Sequence, residues 1–172
     1  MLSAQKVIAQ NISEESFTLN LKNADIHTLI ETVSSHTGKN FIVDPRVKAI
    51  VNLVSSEPVD ASRLYEMFLA VLEINGYAAV QAGQFIKIVP TSVGVESAVP
   101  ILGEHTGSSG ELVSQVIHLK SMSALQVVET LRPLLSESAS LEASDASNAI
   151  VVTDYAMNID KLIDLIVLMD RR

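Results

Sequence analysis

Residues 16–30 read SFTLNLKNADIHTLI, and the change of period inside this stretch decides the fold. Phe17, Leu19 and Leu21 alternate with Ser16, Thr18, Asn20 and Lys22, the period of two of a half-buried strand. Beyond Asn23 the period lengthens, with Ile26, Leu29, Ile30 and Val33 on one face of a helix. A strand running into an amphipathic helix announces an α+β chain. The strand itself carries no reactive side chain, so its functional capacity lies in its backbone.

Working outward, residues 16–90 read as strand, helix, strand, strand, helix, strand, strand. Gly38 follows the first helix as a left-handed cap would. NFIVDP gives a short strand, Asp44-Pro45 turns the chain, and AIVNLVSS gives the next strand. Asp60 is placed to cap a second helix with Leu64, Met67, Phe68, Val71 and Leu72 as its apolar stripe, and Asn75-Gly76 ends it. AAVQAGQFIKIVP closes the unit as a hairpin turning near Ala82-Gly83-Gln84.

Residues 91–110 hold four of the seven glycines and sustain neither period, which predicts a flexible linker. Residues 1–15 form an N-terminal extension. Residues 111–172 then read βαββα, and the chain is expected to form two small domains. LVSQVIHLK is the first strand of the second unit, with Val113, Ile117 and Leu119 on one face. Ser123 and Gln126 have capping-box spacing, and Leu125, Val128, Leu131 and Leu135 recur on one helix face, with Pro133 tightening or ending the last turn. Two strands flank an Asp145 to Asn148 turn, and a closing helix over 157–169 directs Ile159, Leu162, Ile163 and Ile166 inward.

Composition narrows the function. The formal charge of −8 argues against nucleic acid or an anionic membrane as a partner, because both are gripped by Lys and Arg. With 4% aromatic residues and no Trp, there is little for stacking bases. The absence of cysteine removes disulfides, thiol nucleophiles and thiolate zinc sites. No run of apolar residues is long enough to span a bilayer, and the first residues lack the pattern of a secretory signal.

No catalytic constellation emerges either. His27 and His36 are nine residues apart, which turns them to opposite sides of a helix. His105 falls in the linker and His118 on the exposed phase of a strand. Gly38-Lys39 lacks the rest of a phosphate loop, and Asp44 reads as a turn aspartate bonding its own backbone. Asp160 and Asp164 can share a helix face, where a solvated acidic surface is the simpler reading. The βαββα order matches a KH arrangement, but the Gly-x-x-Gly clamp that RNA binding requires is missing from the second unit. No cofactor or metal is expected, and the chain does not read as an enzyme.

The stretch from FTLNLKNADI through NFIVDPRVK, VSSEPV and LYEMFLAVLEINGYAAV closely resembles the first periplasmic N-domain of type II secretion secretins. VSQVIHLKSMSALQVVETLRPLL with SNAIVVTDYAMNIDKLIDLIVLMD resembles the second. Ala49-Ile50 departs from the Gly-Lys common in the family. The resemblance implies a first domain with two helices and small mixed sheets, of the type shared with receptor signalling domains, and a KH-like second domain. It implies the N-terminal part of an outer-membrane channel protein of Gram-negative bacteria, cut after its second domain and hanging in the periplasm. Such domains line the vestibule, meet secreted exoproteins and dock the inner-membrane clamp protein, while the full-length protein gathers into a ring. A pilus secretin and a receptor signalling domain are the alternatives.

In the family the first strand serves the docking. That makes Ser16, Phe17, Thr18, Leu19, Asn20 and Leu21 the candidate partner-binding residues, acting as an edge strand that another strand can extend. From the pattern alone, an ordinary sheet strand with its polar face in water is the simpler reading. The resemblance is what favours docking.

Overall fold

The computed structural model describes residues 16, 18–98, 100–102, 107–136 and 138–170. The first unit runs β1 (Asn20–Asp25), α1 (Ile26–Thr37), β2 (Phe41–Val43), β3 (Ile50–Val54), α2 (Ala61–Ile74), β4 (Tyr77–Ala82) and β5 (Phe85–Pro90). β1 pairs antiparallel with β3, while β5 lies between β2, its parallel neighbour, and β4, its antiparallel one. Of the small mixed sheets that the family resemblance implies, the β2-β5-β4 sheet is mixed and the two-stranded β1-β3 sheet is antiparallel.

Both helices form where their caps and apolar spacing place them. Asp25 accepts the His27 N–H at the start of α1, and Gly38 closes it at φ 68°, donating its N–H to the Ser34 carbonyl. A left-handed residue costs glycine little, and here it satisfies an end-of-helix carbonyl. Asp60 caps α2 by accepting the Arg63 N–H at 2.8 Å. Ile26, Leu29 and Val33 of α1 meet Leu64, Phe68 and Leu72 of α2 in a single core, which Leu19, Val51, Leu53, Ile86 and Ile88 complete from both sheets. The hairpin turns at Gly83-Gln84, with Ala82 opposite Phe85.

The second unit holds β7 (Leu112–His118), α4 (Ala124–Leu131), a 3-10 turn (Arg132–Leu134), β8 (Ser140–Ser144), β9 (Ala149–Tyr155) and α5 (Ala156–Met169). Its sheet order is β6-β7-β9-β8, with β6 (Pro100–Leu102) parallel to β7 and the other pairs antiparallel. Val127, Val128 and Leu131 of α4 and Ile159, Leu162 and Ile166 of α5 close one core with Leu141, Ile150 and Val152. Pro133 falls in the 3-10 turn, tightening the end of α4.

Three expectations change. First, the stretch 91–110 is not structureless along its length, since α3 (Thr91–Ser97) and β6 lie within it. Val93, Val95 and Ala98 pack on a cluster made by Ala78, Val80, Val89, Leu112 and Tyr155. Gly94 makes this possible, because a Cβ there would lie 2.8 Å from Leu112 Cδ2. Second, β7 is covered on both faces: Val113 and Ile117 meet the second core, while Leu112 faces the cluster under α3.

Third, the Ser123 capping box does not form. Ser123 makes no side-chain cap, and Asn148 Oδ1 accepts the Ala124 N–H at 2.9 Å instead. The buried face of α4 consequently comprises Ala124, Val127, Val128 and Leu131, leaving Leu125 52% exposed.

Candidate docking edge

The six candidate residues fall on both sides of the start of β1. Ser16 and Thr18 are exposed and precede the strand, and Phe17 lies outside the described residues. Leu19 is buried, its carbonyl accepting the Ser55 N–H at 2.8 Å, so pairing with the β3 side begins there. Asn20 and Leu21 open β1 opposite Val54 and Leu53. Leu19 and Leu21 belong to the first core, while Asn20 is exposed. The regular strand therefore starts later than the alternation suggests and continues to Asp25.

It can continue because Asn23 is a bulge rather than an end. Leu21 faces Leu53 and Ala24 faces Val51, so Lys22 and Asn23 together oppose Asn52. Asn23 adopts φ 50°, and its N–H donates to Asn52 Oδ1 at 2.9 Å. Asparagine tolerates that left-handed backbone better than most residues, and the bulge bends the strand into α1. At the junction, the His27 backbone N–H and then its ring hold the Asp25 carboxyl below its ordinary range.

Among the described residues, β1 has one neighbouring strand, β3. Bonded and non-bonded pairs alternate along an antiparallel ladder. Since Leu19 bonds Ser55, the N–H and C=O of Asn20 point to the outer edge. A row of this kind can accept an added strand. The outer side of β3 displays Ile50 and Val54, 63% and 59% exposed, beside it.

The titratable groups do not converge elsewhere. His27 Nδ1 lies 2.8 Å from Asp25, His36 Nδ1 lies 2.8 Å from the Thr32 carbonyl, and His118 is exposed. His105 falls outside the described residues. Asp44 bonds its own turn, accepting from the Arg46 N–H and, in two bonds, from its guanidinium. Those bonds pull its carboxyl down to about 2. Among the described residues, no group of three His, Cys, Asp or Glu side chains is arranged to hold a metal ion.

Comparison with known proteins accounts for both units. Residues 19–88 match the model of the GspD-like N0 domain, and residues 114–172 match that of the bacterial type II/III secretion system short domain. The chain is 32% identical over 166 residues to secretin XcpQ of Pseudomonas aeruginosa, covering 96% of this chain and 25% of that protein. It thus spans about a quarter of the length of the curated relatives it matches. The solved XcpQN012 structure is 31% identical, with 93% of this chain and 67% of that one covered and a TM-score of 0.44. A Klebsiella pneumoniae type II secretion system outer membrane complex, of PulD, PulS and the PulC HR domain, gives a TM-score of 0.72 at 25% identity, over 88% of this chain and 26% of that one. These relatives form a family of structural and transport components rather than of enzymes. The chain belongs to the type II secretion secretins, of which it carries the first two N-terminal domains.

Proposed function

We propose that the chain forms part of the periplasmic vestibule of a secretin ring, and that β1 docks the inner-membrane clamp protein by accepting a strand along its outer edge. The N-domains of secretins are the periplasmic portions of outer-membrane proteins. No helix among the described residues is long and apolar enough to cross a membrane. Contact with exoproteins in transit and ring formation through the rest of the protein belong to the same reading. The role is mechanical and recognitional, without catalysis.

One observation carries the docking assignment: β1 is paired only on its β3 side among the described residues, with Asn20 exposed at the open edge. The similar Klebsiella assembly includes the PulC HR domain, which supports a partner of that kind here. The apolar Ile50 and Val54 on β3 would give such a partner something to bury besides backbone bonds.

Asn20→Pro tests the edge, because it removes an outward N–H while leaving the Leu19 to Ser55 bond in place. By calorimetry against the periplasmic domain of the clamp protein, affinity is expected to fall about tenfold or more, the worth of a backbone hydrogen bond and the fit around it. Thr18→Pro, two residues earlier and in the same outward phase, should act in the same direction. Unchanged affinity in a folded Asn20→Pro variant would remove β1 from the docking site.

A further inference from the structure

Away from β1, one residue ties the two units together through different atoms. Glu111 is 4% exposed, and its carboxylate accepts the Tyr65 hydroxyl of α2 at 2.7 Å. Its backbone carbonyl accepts the Ala156 N–H at 2.9 Å, and the Ser109 carbonyl accepts the Met157 N–H at 2.9 Å. Those are first-turn donors of α5, which has no side-chain cap at Tyr155 and would otherwise leave them unpaired. The side chain thus holds the first unit while the backbone holds the second.

The fit around Glu111 is tight. A Cβ on Gly110 would lie 2.9 Å from Leu69 Cβ, so this segment reaches α2 as closely as it does because residue 110 has no side chain. Lys39 Nζ sits over the Tyr65 ring, 4.4 Å from its centre. Beside the polar contact lies the apolar cluster of Ala78, Val80 and Val89 with Leu112 and Tyr155. Tyr65 is buried, and desolvation first, then the Glu111 charge and their hydrogen bond, push its phenol far above the ordinary value. It therefore stays a donor, and a buried carboxylate needs one.

We propose that Tyr65 and Glu111 form a latch that fixes the orientation of the two N-terminal domains, so that they meet their partners as one rigid body. Opening the latch takes Glu111 out to water or leaves it buried without its donor. Because the bond is noncovalent and single, the orientation is reversible. The latch does not depend on β1 docking, and its test uses no partner.

The 172-residue chain has no cysteine, so spin labels can be placed at Glu31→Cys and Lys161→Cys, both exposed positions. Pulsed dipolar spectroscopy is expected to give one narrow distance population. Tyr65→Phe should broaden it and speed amide exchange at Ala156 and Met157 about tenfold. Glu111→Gln, which keeps an acceptor oxygen, should retain most of the protection.

A second label pair inside the first unit, Glu31→Cys with Gln81→Cys, should stay narrow and so report that the fold survives. Were Tyr65→Phe to disturb that pair, Gly110→Val would decide the matter: it presses on Leu69 from outside the Tyr65 to Glu111 bond and should broaden the inter-unit distance alone. A broad distribution in the parent chain, or a narrow one in a folded variant with unaltered exchange, would overturn the latch.

Discussion

Single polar residues in the second unit do what longer capping motifs were expected to do. Asn148 adopts φ 46°, accepts the Ala124 N–H, and donates to the Leu119 and Met122 carbonyls at 3.2 and 3.0 Å. Asn148→Ala removes all three side-chain bonds and strains the backbone, so it is expected to lower stability by about 2–3 kcal/mol in urea unfolding. Asn148→Gly, which relieves only the strain, should lose less. Asp170 is a comparable anchor: its carboxylate accepts the backbone N–H groups of Lys120, Ser121 and Met122 at 2.7, 2.7 and 2.8 Å. These bonds, Lys120 first, hold its carboxyl below the ordinary 3.8. A depressed carboxyl stabilises the fold above the ordinary value and loses that contribution as pH falls through the depressed one. The stability gap between the parent and Asp170→Asn should accordingly be full near neutrality and close below pH 3.8, as thermal unfolding across a pH series would show. Neither residue was legible as an anchor in sequence, because its partners lie 24 to 50 positions away.

Elements whose order is local were legible, and those that depend on distant partners were not. The stripe of α1 and the Asp60 and Asn75-Gly76 limits of α2 carry their own period and caps. α3 does not: Val93, Val95 and Ala98 become a face only against strands brought in from elsewhere, while Gly94 reads as linker until Leu112 is seen beside it. At the candidate edge, alternation alone predicts that Leu19 and Leu21 turn inward and Asn20 outward. The bulge at Asn23 was hidden because its partner is Asn52 on another strand. The packing of α2 supplies the sharpest test of the first core. Phe68 is fully buried, edge-on to Phe41 with ring centroids 5.5 Å apart. Phe68→Ala is expected to cost about 3–5 kcal/mol, read as a lower denaturant midpoint with the far-UV spectrum of the native state retained.

At the scale of the whole molecule, the relevant quantity is how strongly the two units share their stability. Each has its own apolar core, and the cluster under α3 belongs to neither alone: Ala78, Val80 and Val89 come from the first unit, Leu112 and Tyr155 from the second. Two units that share buried surface unfold together when the interface energy exceeds the difference in their separate stabilities, and separately when it does not. Leu112 is the residue on which that balance turns, being 2% exposed and close enough to α3 that Gly94 could not carry a Cβ without displacing it. Truncating it to alanine should remove about 3 kcal/mol, drawn from the shared cluster rather than from either core. The parent is expected to unfold in one transition when followed by both tyrosine fluorescence and far-UV dichroism. Leu112→Ala should split that transition, so that the two probes no longer coincide and the m-value of each step falls. If the two probes still coincided in Leu112→Ala with an unchanged m-value, the coupling would have to reside elsewhere, in the polar contact at Glu111 or in the β6 to β7 pairing.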